Sequence, residues 1–580
     1  MKPNQKNWII AAPDQERVSE LSHSLGVPPL LARVLVLRGL ADPAAASSFL
    51  NAPLRDMHDP FLMKGMRRAV DRIFQAIQRK ESIWVYADYD VDGVASAALM
   101  VHFFREIGCP IDYYIPNRMS DGYGLKEKAV VALKEKGAAL VITADCGIGA
   151  AREIQKAAEL GMEVIVTDHH QVPEELPPAM AILNPLQEDC PYPYKFLSGA
   201  GIIYKLLIGL RAELREKGRL QEIPNLKKHL DLVALATIAD LVPLTGENHI
   251  LARHGLEELS STKKIGLRAL KSVSGLMEKK LNSYSVGFQL APRLNAAGRL
   301  GEADRGVRLL VSLDMAKAME SASELDRENR ERQEFQEKVV EEARLMVKKS
   351  VNLNTEFTIV LASEEWHPGV IGIAASKIVD SFHRPVVLIT VENGVGKGSA
   401  RSIGPFNIYK GLRECAGLLR EFGGHEAAAG LTIDADKISV FRSKFAQVAA
   451  EALRPEDLVK NLRADGEINL DELDMDAVRR LEALGPFGIS NPAPAFVARN
   501  VKPIGKVVRI GQNKNHIKFL IQNSRGIQIE AVGFRMERFF SKIDSENASF
   551  DVLFNPQVNE WNGRVALQLK LLDCRVREEA

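Results

Sequence analysis

IWVYADYDVDG, residues 83–93, opens on a β-branched and aromatic run, Ile83 to Tyr86, that reads as a short strand. It then sets three aspartates at every second position, Asp88, Asp90 and Asp92, and closes on Gly93. The next segment, VASAALMVHFFREI, is rich in Ala and Leu and has apolar residues at helical spacing, which predicts a helix after Gly93. Three carboxylates this close repel one another. They stay ionised together only if a positive charge sits among them, and a divalent metal is the simplest candidate. A single Asp here would read as a solvated helix cap. The repeated D-x-D-x-D-G at a strand-to-helix junction predicts a metal site instead.

Outward from this stretch the pattern is regular. A helix, MRRAVDRIFQAIQRK, precedes it, and strand IDYYI, helix KEKAVVALKEKG, strand ALVITA, helix AREIQKAAELG and strand EVIVT follow. Strands alternating with helices predict a parallel sheet covered on both faces. Ligands of such sheets bind beyond the carboxyl ends of the strands. Three of the expected strands run there directly into an acid: Asp88, Asp145, and Asp168 with His169 and His170 behind it. Carboxylate oxygens with an imidazole nitrogen suit Mn²⁺, Mg²⁺ or zinc, and the lack of thiolates argues against a structural zinc. Further on, the apolar stretch LVALATIADLVPL is broken by Asp240. A buried Asp costs several kcal/mol unless it is paired or bound to metal. Asp240 is either a helix-ending cap or a further ligand, and we favour the ligand.

A chain of 580 residues is too long for one core and predicts about two to four domains. Its 76 basic and 75 acidic residues nearly balance, so total charge neither favours nor excludes a nucleic-acid partner. The five cysteines are widely spaced, with no CxxC, which fits a reducing cytosol and excludes a disulfide framework. No apolar run approaches the roughly 20 residues of a membrane span, and the N-terminus has no apolar signal core. These features predict a soluble, cytoplasmic protein.

The motifs DYDVDG, ADCG, TDHH and ATIADLVP, in that order, resemble those of the DHH phosphoesterase superfamily, and within it the RecJ-type exonucleases. The superfamily is named for the residues numbered here Asp168, His169 and His170. The resemblance implies a catalytic domain with two divalent cations, Mn²⁺ or Mg²⁺, held by Asp88, Asp90, Asp92, Asp145, His169 and Asp240. It assigns the chemistry itself to His170, Asp92 and Asp168, with His170 beside the scissile phosphate. Cys146 stands where asparagine is frequent in the family's D-N-G version of the second motif, a change that leaves Asp145 in place.

Other segments extend the resemblance. IPNRMSDGYGL, residues 115–125, reads as a glycine loop in which Arg118 suits a phosphate contact and Tyr123 a stacked base. YSVGFQLAPRLNAAGRLGEADRG, from Tyr284, sets Arg293 and Arg299 among small residues that allow close approach to a phosphate, and the family implies that Arg293 helps hold a 5′-terminal phosphate. From Val307 to His367 there is neither Gly nor Pro, and Asp314 to Ser350 predicts a helix of about 55 Å, suited to connecting two lobes across a cleft. A second α/β lobe follows, with strands TIVLA and PVVLITV. Its segments EEWHPGV, GKGSARS (396–402) and EFGGHEAAAGL (421–431) resemble the DHHA1 domain. They read as loops whose amides cradle phosphate. The resemblance implies that His367, Ser399, Arg401 and His425 contact the strand near its end.

After about Leu458 the Pro- and Gly-rich segment LGPFGISNPAPAF, residues 484–496, leads into short alternating runs that predict a small β-barrel. Residues 495–580 hold 14 Lys and Arg against 9 Asp and Glu. With Phe519, Phe534, Phe554 and Trp561 nearby, this fits an OB-fold that grips single-stranded nucleic acid by charge and stacking. The expected division is therefore a helical segment at 1–60, a DHH catalytic domain at 61–305, a connector helix at 306–350, a DHHA1 domain at 351–457 and an OB-fold at 458–580. The expected activity is metal-dependent 5′→3′ trimming of single-stranded DNA to mononucleotides in recombination and repair. The alternative is a DHH phosphodiesterase for short oligonucleotides or cyclic dinucleotides. The family also suggests a monomer that works with a single-strand-binding protein and a RecQ-type helicase.

Overall fold

A computed structural model describes residues 6–117, 122, 124–219, 224–300, 304–544, 549–561 and 563–576, with only the backbone of Arg299, Leu300, Trp561, Arg564 and Val576. Two compact units emerge. One joins Arg327–Arg463 to the N-terminal strand up to Ile9; the other joins Ile10–Asp326 to the chain from Ala464 onward.

The five central strands of the second unit are all parallel, in the spatial order Asp112–Tyr114, Ile83–Ala87, Leu140–Ala144, Glu163–Thr167, Ala181–Leu183. Alternation of side chains splits each strand between two cores: Ile83, Val85 and Ala87 enter one, Trp84 and Tyr86 the other. Both faces are covered, so the strands read as unbroken apolar runs. The last strand was not legible in the sequence, because three residues carry no period. Among the described residues no helix is long and apolar enough to cross a membrane.

The helix expected after Gly93 begins earlier, at Val91, and runs to Glu106. Asp90 is its N-cap, with Oδ1 accepting from the Asp92 and Gly93 amides at 2.9 and 3.2 Å. Asp92 therefore sits inside the first helical turn. A strong N-cap outweighed the strand-like spacing of the aspartates. This helix packs against Gly199–Glu216 and Leu230–Ala239, the second of them almost wholly buried.

In the other unit the strand order is Leu419–Gly424, Ala428–Asp434, Val395–Arg401, Val386–Glu392, Ile359–Ser363, and only the last pair is parallel. The two glycine-rich segments expected to be phosphate-cradling loops are strands. Their small residues serve packing: a Cβ on Gly398 would lie 2.8 Å from the Leu431 side chain, and one on Gly396 2.8 Å from Ile389. The connector helix spans Met315–Ser350, 36 residues and about 54 Å long, and the boundary between units falls within it.

The C-terminal OB part is a seven-stranded sheet in the order Gly466–Glu467, Phe496–Val501, Phe550–Trp561, Arg564–Val576, Gln528–Gly533, His516–Gln522, Pro503–Ile510. Phe519 and Phe554, expected among the stacking aromatics, are core residues at 2% and 0% exposure. Aromatics at inward strand positions fill the core against the sheet before they meet a ligand. Phe534 is half exposed, and the Trp561 side chain lies outside the described residues. Three N-terminal helices, Gln15–Leu25, Pro29–Leu37 and Pro43–Asn51, share this core through Val18, Leu21, Leu31, Leu35 and Ala46.

Candidate metal centre

The carboxyl edge of the parallel sheet gathers the expected acids. Asp88 follows strand Ile83–Ala87, Asp145 follows Leu140–Ala144, and Asp168 follows Glu163–Thr167; Asp240 caps the C-terminus of helix Leu230–Ala239. Three overlapping groups have ligand atoms within 4.8 Å of one another: Asp145, His169 and His170; Asp92, His169 and Asp240; Asp88, Asp90 and Asp145. His169 Nε2 lies 3.0 Å from Asp145 Oδ1, 3.5 Å from Asp240 Oδ2 and 3.9 Å from Asp92 Oδ2.

Local backbone geometry brings these groups together. Asp145 adopts a positive φ of 63°, which short polar side chains tolerate better than most. Thr143 Oγ1 donates to the Cys146 carbonyl at 2.7 Å and closes the turn. Gly93 has no room for a side chain, since a Cβ would stand 2.3 Å from the Asp88 carbonyl oxygen. Gly199, at the start of helix Gly199–Glu216, presses on the site in the same way: its Cβ would stand 2.8 Å from Asp145 Cβ. The amides of Gly199 and Ala200 donate to the two oxygens of Asp92 at 2.6 and 2.7 Å. Sequence reasoning missed this clamp; the run Ser198-Gly199-Ala200-Gly201 behind an N-cap serine was the available signal.

Asp168 is used differently from the other acids. It is fully buried, and its oxygens accept from the amides of Ile148 (2.9 Å), His169 (2.8 Å) and His170 (3.0 Å) and from the His170 ring at 2.8 Å. It fixes the orientation of His170. Burial alone would raise its pKa, but the His170 bond and these amides outweigh burial and lower it. In turn Asp168 outweighs the burial of His170 and raises the pKa of that imidazole.

The remaining groups show strain of charge. Burial, then Asp92, pushes the Asp240 carboxyl up to about 9. Burial, then Asp90, raises Asp92 to about 7, and burial with the neighbouring acids holds Asp145 well above the ordinary carboxylate range. Burial, then His170, lowers His169 to about 4, so its ring is neutral and able to ligate. Asp145 Oδ1, His169 Nε2 and Asp240 Oδ2 are buried and make no hydrogen bond with the described residues. Such atoms are costly unless a cation collects them. An oxygen-rich set with one neutral imidazole fits a hard divalent cation.

Arg293 lies within helix Ala291–Leu300, not in a loop. The helix follows a π turn, Val286–Leu290, at the point where Pro292 removes a helical donor. Arg293 Nε bonds Asp326 Oδ1 at 2.9 Å, and Nη1 bonds the Gln289 carbonyl. Arg118, Tyr123 and the Arg299 side chain lie outside the described residues.

In the other unit Arg401 Nη1 donates to Ser399 Oγ at 3.1 Å, and both stand against Gly372 in the first turn of helix Ile371–Phe382. The hairpin turn at His425 pairs back to Ala428, which lies opposite Arg401. His367 Nδ1 accepts from the Gly369 amide at 3.0 Å, and Phe335, which the sequence reading missed, stacks on its ring at 5.7 Å. A cation and a hydroxyl beside a helix N-terminus are groups of the kind that suit an anion.

Three family models match the sequence: the DHH family N-terminal domain at residues 82–237, the DHHA1 domain at 354–451 and the RecJ OB domain at 464–573. The single-stranded-DNA-specific exonuclease RecJ of Bacillus subtilis is 41% identical over 580 residues, covering 100% of this chain and 72% of that protein. The Haemophilus influenzae protein of the same name is 35% identical, covering 96% of this chain and 97% of its own length. A crystal structure of RecJ with Mn²⁺ from Thermus thermophilus superposes with a TM-score of 0.82 at 30% identity, covering 99% of this chain and 80% of that one.

Proposed function

The chain belongs to the RecJ family of single-stranded-DNA-specific exonucleases, and from that premise we propose that it removes nucleotides from the 5′ end of single-stranded DNA by metal-dependent phosphodiester hydrolysis. The convergence of Asp92, Asp145, His169 and Asp240 on one point, with buried atoms of Asp145, His169 and Asp240 left without hydrogen bonds among the described residues, carries this reading.

Asp88, Asp90, Asp92, Asp145, His169 and Asp240 would hold two divalent cations, Mn²⁺ or Mg²⁺, which when bound supply Lewis-acid activation of water and offset the charge of the scissile phosphate. The chain's own groups do the rest. The Gly199 and Ala200 amides fix the Asp92 carboxylate, and the Asp145 turn presents its oxygen to His169. Asp168 acts through His170, holding its ring and favouring its protonated form, so that His170 offers a positive donor to a phosphate oxygen. Asp168 is thus a positioning residue, not a ligand.

In the other unit Ser399, Arg401, His425 and the His367 segment suit the end of the strand, and we assign Arg293 to a 5′-terminal phosphate, as the resemblance implies, and Arg118, Tyr123 and Arg299 to other contacts with the strand. The domain division at about residues 60, 305, 350 and 457 belongs to the same proposal. So do a monomeric state, a cytoplasmic location, and work beside a single-strand-binding protein and a RecQ-type helicase.

A long single strand labelled at its 3′ end tests the reading. With Mn²⁺ it should shorten progressively, with EDTA it should survive, and a blunt duplex of the same sequence should survive in both. Immediate release of the label as mononucleotide would reverse the polarity. Turnover undiminished by EDTA would remove the metal from the reaction.

A further inference from the structure

Leu241 and Phe196 stay exposed on segments that adjoin the acidic cluster, and Ile489 stays exposed on a loop hydrogen-bonded to the first of them. Leu241, the residue after Asp240, is 67% exposed and holds a positive φ of 61°. A branched side chain gains nothing from that conformation, and Gly or Asn usually takes this position after a helix. Phe196 is 54% exposed. It precedes Leu197, whose carbonyl is hydrogen-bonded to the His169 ring, and lies three residues from the amide that clamps Asp92. Ile489 is 49% exposed and comes from LGPFGISNPAPAF, the segment that leads into the OB sheet.

The three segments are stitched together. The buried Asn248 side chain donates to the carbonyls of both Phe196 and Pro243, so the loop after Asp240 and the loop before Gly199 share one anchor. Leu244 donates its amide to the Ile489 carbonyl at 2.8 Å, and Gly488 lies so close to Leu244 that a Cβ would meet it at 2.7 Å. Asn491 closes the Ile489 loop from within, donating to the Leu484 and Pro486 carbonyls at 2.9 and 2.8 Å.

We propose that Leu241, Phe196 and Ile489 form an apolar ledge on which unpaired bases lie as the strand passes between the metal centre and the OB sheet. This rests on the exonuclease reading. The occupant follows from position: a phosphodiester at the cluster places its neighbouring bases one sugar away, beside the residue that follows Asp240. A base offers a flat apolar face that such side chains bind without sequence preference. In a duplex those faces are stacked against neighbouring pairs and turned inward, so the ledge discriminates for single strands. Exposed apolar side chains on anchored backbone are what such a contact requires, because little ordering remains to be done on binding.

The test is an abasic scan. Single strands carrying one abasic site, moved stepwise from the 5′ end, are cleaved in Mn²⁺ by the wild type and by Leu241→Gly, in which glycine accepts the positive φ while the side chain is lost. Their affinities for the Asp145→Ala protein, with and without Leu241→Gly, are read by fluorescence anisotropy. The wild type should lose about tenfold in kcat/KM, through KM, at one or two positions. Leu241→Gly should lose a similar factor on the intact strand and then be indifferent to the abasic site at those positions. Ile489→Ser should do the same at a position farther along. A wild type that cleaves every abasic strand as well as the intact one overturns the ledge, and so does a Leu241→Gly protein that keeps the full abasic penalty. In both cases cleavage of the intact strand leaves the exonuclease reading standing. A wild type that cuts no strand in Mn²⁺ fails that reading, and the ledge falls with it.

Discussion

Asp145 combines a left-handed backbone, full burial and an oxygen 3.0 Å from His169 Nε2. Backbone strain of this kind costs of order 1–3 kcal/mol and persists where a function uses it. Asp145→Ala should therefore lose cleavage by about a thousandfold or more, while single-strand affinity in anisotropy changes only a few-fold. Turnover near the wild-type rate would remove Asp145 from the metal centre. Asp168→Asn should keep Mn²⁺ affinity within a few-fold yet slow cleavage by about 10- to 100-fold, because His170 loses the negative charge that favours its protonated form. The pH dependence follows from the raised carboxyls. Asp92 near 7 and Asp240 near 9 mean that the metal-free site holds protons at neutral pH. Their folded pKa values exceed the unfolded ones, so the folded state binds more protons than the unfolded state. The contribution of these two groups to the stability of the metal-free protein is fully present below the ordinary carboxylate range and is lost as pH rises toward about 9. Mn²⁺ binding must expel those protons. Calorimetric titration at pH 7 in two buffers of different ionisation enthalpy should show proton release, and the Mn²⁺-induced rise in Tm should grow between pH 6 and 8.

At the scale of elements, the site depends on two close approaches by helices. The turn into helix Val91–Glu106 lies against the Asp88 backbone at Gly93, and helix Gly199–Glu216 points its first amides at Asp92. Gly199→Ala would drive a methyl to within 2.8 Å of Asp145 Cβ and 3.1 Å of Asp92 Oδ2. The helix must then retreat, and both amide bonds lengthen. We expect a loss of about 1–3 kcal/mol in stability together with weaker Mn²⁺ binding, measured by thermal melting with and without the ion. Equal Mn²⁺ affinity in the two proteins would show that the helix does not set the position of Asp92. The alternation of strands and helices around this site was legible because each element was long enough to show its period. The early start of the first-motif helix was not, because its first turn is polar and carries the strand-like D-x-D-x-D spacing.

At the scale of the molecule, the N-terminal helices and the OB sheet are one core although more than 400 residues separate them in sequence. Leu35, at 0% exposure, belongs to that core. Leu35→Ala should cost about 2–5 kcal/mol. Hydrogen exchange should rise in strands Phe496–Val501 and Phe550–Trp561 as well as in the helix that carries the mutation. Faster exchange confined to the helix would separate the two parts. No local pattern announces this association, since an amphipathic helix states that it has a partner but not which one.

Sequence by itself determined the chemistry: which acids follow which strands, which histidines accompany them, and the order of motifs that ties the chain to its family. Those are properties of neighbouring residues, and spacing along the chain expresses them. Tertiary structure alone decided which carboxylates remain available and which are consumed. Asp168 and Asp145 look alike in sequence, each at a strand end, yet one accepts four hydrogen bonds and the other presents a buried oxygen with none. It also decided that Phe519 and Phe554 fill a core while Phe196 and Leu241 face solvent beside the acids. Burial and hydrogen bonding are set by groups distant in sequence, and only the folded chain brings those groups together.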